Sequence, residues 1–424
     1  MSIDVTTLDV FPFPGVWAQP IKLSRQFITN VDLALTSDET RDAILDAPRL
    51  GIKFAIENLE EHAEARAIER FLRAHIGQRI VVPIWTEAIR ITETPIGNLV
   101  ACASTIGRLF SISRHAVLIN VIGETQPFDI ESVDEFQITA TADIPDADVF
   151  EDGEIVVLVM ITEPISAQSA LSFESSYYAT GGVEFWEDVG EASALPFDYN
   201  FPAFAGLSIF PMPFTWATQP SLAFSRTAVE RRADTNVVET AGLQTTAATL
   251  LKGLIDLDGR DQIARVLAFF DAQLGRQQRF WAPSGKRDFK VIETANNSAQ
   301  IAVENSGFTS GEWADNPKTA RTFIVVRDVT NGAWYARRIT AAAFIDSNTE
   351  RLTLTSAIPH VDALSHISFL YLARFNLDDI EIDFDDTDHG SVSVEFMELP
   401  NETSDFIASN ASAGTIDAEG VLLA

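Results

Sequence analysis

The sequence predicts a mainly β (α+β) fold of two homologous tandem domains, each β-sandwich or β-barrel-like and each with one amphipathic helix. Two observations lead to this prediction. A Phe-Pro-x-Pro-x-x-Trp segment at residues 11–17 returns at residues 210–216, an offset of 199. Each segment is followed by a helix-type pattern and then by short β-type runs. A sequence motif that recurs together with similar flanking sequence indicates an internal duplication. β-rich units of this kind close as sandwiches or barrels.

The repeat divides the chain of 424 residues into a first domain at 1–200, a second domain at 201–403 and a C-terminal tail at 404–424. Two domains fit this length, because single hydrophobic cores stop growing well below it. The offset grows from 199 to 211 at the closing hairpins, so the second domain carries a longer insertion, which we place at 305–318. The tail has no counterpart after the first domain, and we expect it to be flexible or docked on a partner.

Each domain opens on its Phe-Pro segment, where the prolines forbid a helix and favour an extended or turn-rich path. Because the aromatic side chains lie among prolines at matching domain starts, we interpret them as packing or subunit contacts. A platform that stacks sugar rings is the alternative, and it would also use Phe13 and Phe214. The candidate contact residues are Phe11, Pro12, Pro14, Trp17, Phe210, Pro211, Pro213 and Trp216.

One amphipathic helix is predicted in each domain, over about 60–76 and 260–274. Apolar residues recur there at helical spacing, with charged residues between them. Gly77 and Gly275 follow the two helices at the place where a left-handed cap is favoured. The predicted core face of the helices consists of Ile68, Phe71, Leu72, Val266, Leu267 and Phe270.

Short β-type runs follow each helix and are bounded by turn residues. The first of them, at 80–85 and 280–283, correspond between the domains, and further runs follow in each. Each domain closes on a hairpin pattern, whose second strand contains Val-Glu-Phe at 183–185 and again at 394–396. These runs make β structure the main component of both domains.

The charge is strongly negative and unevenly distributed. The net charge is −31, and the chain has no Lys or Arg between Arg114 and Arg226 or after Arg374. Such a surface repels nucleic acid and anionic membranes, so we expect no specific nucleic-acid binding. No apolar run approaches the length of a membrane span, and the first residues do not resemble a secretory signal. Solubility, or life at high salt, is the alternative reason for the charge.

No catalytic or metal-binding motif is found, so we predict a protein that is not an enzyme and uses no cofactor or metal. Cys102 is the single cysteine, and its apolar neighbours predict a buried, inert thiol. The six histidines show neither an H-E-x-x-H pattern nor a close pair with metal spacing. The acidic turn at 383–388 does not fit the spacing of a calcium loop and has no acidic counterpart in the first domain.

Three stretches resemble tail-tip structural proteins of long-tailed bacteriophages, of the distal tail, minor tail or hub type. They are residues 266–283 (VLAFFDAQLGRQQRFWAP), 369–379 (FLYLARFNLDD) and 394–400 (VEFMELP). The resemblance covers most of the second domain, and Gln273 stands where the family often has a basic residue. It implies a β-rich, ring-forming component of the virion tail tip, assembled in the host cytoplasm and without catalytic residues. Its implied partners are its own copies, the tail tube, and the hub and fibre proteins.

The duplication then suggests a symmetry. A trimer of two-domain chains presents six similar domains, so it can match a six-fold tube above and a three-fold hub below; a hexamer is the other state considered. Acidic stretches facing the lumen would keep passing DNA from adhering. The alternative function is a carbohydrate- or receptor-binding module, or a docking platform for receptor-binding proteins at the tail tip.

Overall fold

The computed structural model describes most of the chain, and the following account is confined to those residues. The predicted tail at 404–424 lies outside them. The described residues are 5–33, 39–45, 47–58, 62–111, 114–164, 170–173, 179–191, 195–197, 199–225, 228–232, 238–242, 247–314, 321–328, 332–400 and 402–403.

The first half of the chain, residues 1–200, forms thirteen strands and one α-helix among its described residues. Helix α1 spans His62–Ala74. Short 3₁₀ turns lie at Val5–Thr7, Trp85–Glu87, Ala147–Val149 and Val189–Glu191. The strands are β1 (Ile21–Gln26), β2 (Thr29–Leu33), β3 (Glu39–Ala43), β4 (Arg49–Asn58), β5 (Val81–Pro83), β6 (Ile89–Arg90), β7 (Leu99–Ala101), β8 (His115–Ile119), β9 (Thr125–Asp134), β10 (Gln137–Ala140), β11 (Ile155–Ile161), β12 (Ala170–Phe173) and β13 (Ala179–Trp186).

The second half of the chain, residues 201–403, forms a further fourteen strands and one α-helix among its described residues. Helix α2 spans Arg260–Ala272, and a π-helical turn lies at Thr309–Trp313. The strands are β14 (Ala203–Phe204), β15 (Leu207–Ser208), β16 (Ser221–Ser225), β17 (Ala228–Arg232), β18 (Val238–Gly242), β19 (Ala248–Asp258), β20 (Phe280–Pro283), β21 (Ala295–Glu304), β22 (Phe323–Arg327), β23 (Trp334–Asp346), β24 (Thr349–Val361), β25 (His366–Phe375), β26 (Asp379–Phe384) and β27 (His389–Glu398).

The predicted mainly β class is confirmed, with several antiparallel sheets. The helices lie inside the predicted ranges, and Gly77 and Gly275 have positive φ angles of 77° and 60°. Glycine adopts this left-handed conformation without the steric cost that a Cβ atom imposes. The predicted core faces are buried, apart from Phe71, which is half-buried. Phe71 nevertheless packs edge-on against Phe11, with ring centroids 5.5 Å apart.

One sheet runs through both halves. Strands β12, β13, β4 and β1 of the first half follow one another, and β1 then pairs with β26 of the second half. From β26 the sheet continues through β27 to β19 and β16. A smaller sheet in the first half has the order β5-β11-β8-β9-β10-β7, and β20 and β25 begin the corresponding arm in the second half. The largest cluster of buried apolar side chains likewise draws on both halves.

The same registers recur in the two halves. Lys53 of β4 lies opposite Glu184 of β13, and Lys252 of β19 lies opposite Glu395 of β27. These partners differ by the offsets of 199 and 211 that the sequence repeat gives. The correspondence extends to β1 with β16 and to β12 with β26. We take these matched registers as support for the proposed duplication.

Corresponding residues in the two halves also show where the second half carries its added residues. The bridge partner of Ile91 is Cys102, and that of Val291 is Val303. The offset is therefore 201 at this point, and it has risen to 208 where β8 and β22 pair with β11 and β25. Most of the added residues thus lie between β21 and β22, the region that contains 305–318.

Candidate functional site

The two Phe-Pro segments make the same backbone contacts. The N–H of Phe11 donates to the carbonyl of Val81, and that of Phe210 donates to the carbonyl of Trp281, each at 2.8 Å. Both phenylalanine side chains are buried in the core, as is Pro211, whereas Pro12, Pro14 and Pro213 are exposed. The tryptophans that end the segments point the other way: Trp17 is 38% exposed and Trp216 is 60% exposed. The segments therefore divide into core anchors and two surface aromatics.

The two halves are joined at a paired strand edge. Strand β1 runs antiparallel to β26, with Lys22 opposite Asp383 and Leu23 opposite Ile382. On the solvent face Lys22 Nζ lies 2.9 Å from Asp383 and 2.6 Å from Glu381. On the other face Leu23 and Ile382 enter the shared core. The two strands are therefore held together by backbone pairing, by ion pairs on the solvent face and by apolar contacts on the core face.

Ion pairs reinforce the edge on its core side. Arg25 of β1 is fully buried and donates from Nε to Asp271 of α2 at 3.2 Å, with a second contact at 2.5 Å. Burial raises the pKa of Asp271, while the charge of Arg25 opposes that rise. A buried carboxylate is costly unless it is paired, so each group depends on the other. Arg25 therefore fixes the helix of one half against the strand of the other.

A second cluster of charges crosses between the halves near the start of α2. Arg260 contacts the fully buried Glu87 at 2.6 Å and also donates to the carbonyl of Thr86. Arg108 donates to the same carbonyl and lies 3.0 Å from Asp388. Desolvation and the charge of Arg260 lower the pKa of Arg108. The interface between the halves is thus built from specific, mutually dependent pairs.

Two other edges of the sheet correspond to the joined pair. By register, β16 corresponds to β1, and β12 corresponds to β26. Among the described residues, β16 pairs only with β19, and β12 pairs only with β13. Position 224 on β16 corresponds to Arg25, and it carries a phenylalanine that is 67% exposed. An unpaired strand edge with an exposed aromatic is a template for pairing with another chain.

The continuous sheet has one polar face and one buried face. Along β19, β26, β27 and β13 the residues alternate between exposed or half-exposed and buried positions. The buried face packs on α1 and α2 and carries the main core. The ionisable residues of the polar face include Lys22, Lys53, Lys252, Glu184, Asp256, Glu381, Asp383 and Glu395.

Three aromatic positions have changed places between the halves. Position 214 holds a phenylalanine where the first half has Gly15, and it packs against Gly253 and Gly285. A Cβ atom on Gly253 would lie 2.5 Å from the ring of Phe214. The corresponding residues of the first half are Phe54 and Trp85; both are buried, and Phe54 lies against Gly15. One large ring therefore replaces two others, a change that keeps the core filled.

A cavity of about 300 Å³ lies beside Phe214 in the second half. One wall is a row of residues across three strands, because Trp334, Arg327 and His366 are successive cross-strand partners. Ser368 lies two residues further along β25; its hydroxyl donates to the carbonyl of Lys286 at 2.7 Å and lies 3.1 Å from His366 Nδ1. The first-half counterparts of this row are Thr125, Ile119 and Ile155. Trp216 lies at the other side of the cavity.

Two corresponding glutamates have different surroundings. Glu187 Oε2 accepts from the N–H of Leu50 at 2.9 Å, and Glu398 Oε2 accepts from the N–H of Thr249 at 2.9 Å. Burial raises the pKa of both carboxyls. Arg114, itself buried, forms an ion pair with Glu187. Among the described residues Glu398 forms no ion pair, and the charge of Arg321 offsets only part of the rise in its pKa that burial causes.

The remaining candidates show no arrangement for chemistry. Cys102 is buried, and burial raises the pKa of its thiol to about 11. In the acidic turn Asp386 accepts from the N–H groups of Asp388 and His389, as in a solvated hairpin turn. Within the described ranges no group of three or more His, Cys, Asp or Glu side chains could hold a metal ion. Among the same residues no helix is long and apolar enough to cross a membrane.

Comparison with known proteins finds no family model that matches the chain and no match among curated proteins. The sequence repeat pointed to the Phe-Pro segments, but it did not predict the joined edge, its ion pairs or the cavity. Arg25 and Asp271 lie 246 positions apart, and no local pattern links them. The aromatic exchange was visible in principle, since aligning the repeats opposes Gly15 to Phe214 and Trp85 to Gly285.

Proposed function

We propose that this chain is a structural, non-catalytic component of a long-tailed phage tail tip, and that its copies form a ring. One observation carries the proposal: the edges that join the two halves recur, unpaired among the described residues, at the two ends of the same sheet. An interface of this head-to-tail kind either closes into a ring or continues as a filament. The resemblance of the second half to tail-tip proteins favours the ring and its place in the virion.

The joined edge gives a register for the proposed contact between chains. Lys22 and Asp383 correspond to Ser221 and Ser172, so Ser221 of one copy should lie opposite Ser172 of the next. Leu222 should likewise lie opposite Leu171. In this arrangement β16 gains the partner that β1 already has. Pairing of both free edges would leave neither exposed to nonspecific aggregation.

The sheet's two faces determine which side would line the channel. The buried face is already covered by helices and core, so only the polar face is free to surround an opening. With five acids and three lysines among its named ionisable residues, that face has an excess of negative charge. DNA carries a dense negative charge and is repelled by such a wall. This supports a lumen through which DNA passes without adhering.

We propose three chains in the ring, which gives six four-stranded units. Each chain contributes one internal junction and one junction with its neighbour, so six-fold and three-fold surfaces coexist. The tail tube would contact the six-fold side, and hub and fibre proteins the three-fold side. Assembly would take place in the host cytoplasm before the tail is complete.

Mass photometry and negative-stain microscopy of the full chain test this proposal. A trimer with a ring outline is expected, and Phe224→Asp should raise the concentration needed for assembly at least tenfold, because it places a charge at the free edge. Phe344→Asp is the matched control, since Phe344 is a 56% exposed strand phenylalanine away from that edge. A monomer at every concentration, with or without tail-tube protein, would contradict the proposal, as would equal effects of the two substitutions.

A carbohydrate-binding role is the second candidate. The aromatic-walled cavity of the second half is the observation that favours it. This role is compatible with a ring, because the cavity lies at the Phe-Pro segment and not at either free edge.

A further inference from the structure

We propose that the cavity beside Trp216 binds one carboxylated sugar ring of an acidic polysaccharide. The walls and the polar groups of this cavity each match a part of such a ligand, as the following contacts show. The inference does not depend on ring assembly, because all of the residues concerned belong to one half of one chain.

The aromatic residues provide surfaces for the apolar faces of a sugar ring. Phe214, Trp216 and Trp334 all line the cavity, and Trp216 is 60% exposed. Aromatic rings combine a large apolar area with defined orientation, and they serve as stacking platforms for flat ligands. A volume of about 300 Å³ suits a single ring and not a long extended chain.

The polar residues lie together on one side of the cavity. Arg327 extends over Trp334, with its guanidinium carbon 5.8 Å from the ring centroid. Its Nε is buried and has no hydrogen-bond partner among the described residues. Guanidinium groups bind carboxylates through two parallel hydrogen bonds, and a buried donor without a partner favours such a ligand. Ser368 and His366 offer hydroxyl and imidazole groups for the sugar hydroxyls.

The local charge of the cavity is opposite to that of the chain as a whole. His366 has a lowered pKa because of burial and then because of the nearby charges of Arg287 and Arg327. Asp288 acts in the opposite direction but less strongly. The described residues that line the cavity include Arg327 and no Asp or Glu, which favours an anionic ligand although the net charge of the chain is −31.

The first half provides an internal control. Trp85 stands where the second half has Gly285, and Ile119 and Ile155 stand where it has Arg327 and His366. The corresponding positions of the first half therefore hold a tryptophan that is 9% exposed and two aliphatic side chains in place of the polar ones. Trp17, the counterpart of Trp216, should contribute nothing to sugar binding.

Saturation-transfer NMR and calorimetry on the full chain test the proposal. The probes are an oligosaccharide that alternates glucuronate with N-acetylglucosamine, the same oligosaccharide with its carboxyls reduced to alcohols, and a glutamate-rich peptide. The acidic oligosaccharide should bind, and its reduced form should bind about tenfold more weakly, because the ion-paired hydrogen bonds to Arg327 are lost. Equal binding of the two sugars, no binding of either, or tighter binding of the peptide would overturn the proposal.

Three variants locate the site. Trp216→Ala should weaken binding of the acidic oligosaccharide about tenfold, whereas Trp17→Ala should leave it unchanged. Arg327→Gln should abolish the preference for the carboxylated form while retaining weak binding of both sugars. Each variant is compared with the parent chain by thermal unfolding, and Phe224→Asp tests binding in the absence of ring assembly. Equal losses from Trp17→Ala and Trp216→Ala would place the sugar elsewhere and contradict the proposal.

Discussion

The two halves of the molecule share one plan but use it for different contacts. In each half the Phe-Pro segment is hydrogen-bonded to the corresponding strand, β5 or β20. In each half a glutamate also accepts a hydrogen bond from the corresponding backbone N–H. In the first half, the outer edge of β1 pairs with β26 of the second half, and Arg25 of β1 binds Asp271. In the second half, the corresponding edge of β16 is unpaired among the described residues, and Phe224 is exposed on it. The difference shows that corresponding edges are paired in one half and unpaired among the described residues in the other, and we propose that the unpaired edge joins a second copy of the chain.

The halves also differ in how they fill their interiors. In the first half Phe54 lies beside Gly15, and in the second half Phe214 lies against Gly253 and Gly285. The second arrangement leaves a cavity lined by polar and aromatic groups. The two halves therefore share corresponding strand registers, while the second has a cavity at its Phe-Pro segment.

The largest effect is expected where the internal junction loses a charge. Arg25→Ala should lower the free energy of unfolding by about 3–5 kcal/mol, because Asp271 is left buried and unpaired. Phe224→Ala, at the corresponding position of the free edge, should change the stability of the unassembled chain by less than about 0.5 kcal/mol. Denaturant titration by fluorescence measures both. Similar effects at the two positions would mean that the edges do not differ as described.

A somewhat smaller loss of stability is expected when one position of the aromatic exchange is given the residue that the first half has there. Gly253→Phe should cost about 1–3 kcal/mol, because the new ring meets Phe214. The double variant Gly253→Phe with Phe214→Gly reproduces the pair found in the first half, and it should recover at least half of that loss. Thermal and chemical unfolding of the three chains measures the coupling between the two positions. Additive costs would contradict the proposed exchange.

The two corresponding glutamates should respond oppositely to the same substitution. Glu187→Gln should destabilise the fold by about 1–3 kcal/mol, because Arg114 loses its charged partner inside the protein. Glu398→Gln should raise the melting temperature slightly at neutral pH, since the amide still accepts from Thr249 and carries no charge to desolvate. Calorimetry at pH 7 compares the two variants with the parent chain. A shift of the same sign in both would refute the distinction.

The smallest effect is the pH dependence associated with Glu398. Its pKa is raised by burial in the folded state, so the folded chain binds the proton more tightly than the unfolded chain does. The contribution to stability is therefore fully present below the unfolded value of about 4.5 and is lost as pH rises through the folded pKa. The slope of stability against pH above 4.5 should become less negative in Glu398→Gln. An unchanged slope would show that Glu398 is not the group responsible.

The sequence predicted the features that depend on local patterns. The amphipathic helices, their glycine caps and the short β runs follow from spacing alone, and the mainly β class follows from them. The pairing of β1 with β26 could not be predicted in this way, because it joins strands more than 350 positions apart. The buried pair of Arg25 and Asp271 also lacks a local signal. The cavity is lined by Phe214, Gly285 and Arg327, which stand where the first half has Gly15, Trp85 and Ile119, and only a comparison of the repeats would reveal these differences.

The proposed contact between chains predicts a specific disulfide. In the double variant Ser221→Cys with Ser172→Cys the two new thiols should lie opposite each other across the junction between neighbouring copies, whereas within one chain they lie at opposite ends of the sheet. The matched control is Lys22→Cys with Asp383→Cys, which should close within one chain because these residues already face each other. The native Cys102 is buried and should not interfere.

Mild oxidation of both double variants, followed by mass measurement under denaturing, non-reducing conditions, tests the proposed junction between chains. We expect covalent products of the Ser221→Cys, Ser172→Cys variant that end at three chains, while the control remains a single chain with an internal disulfide. A Ser221→Cys, Ser172→Cys variant that stays a monomer with free thiols, although the control closes, would contradict the proposed junction. Products that continue beyond three chains would contradict the three-chain ring.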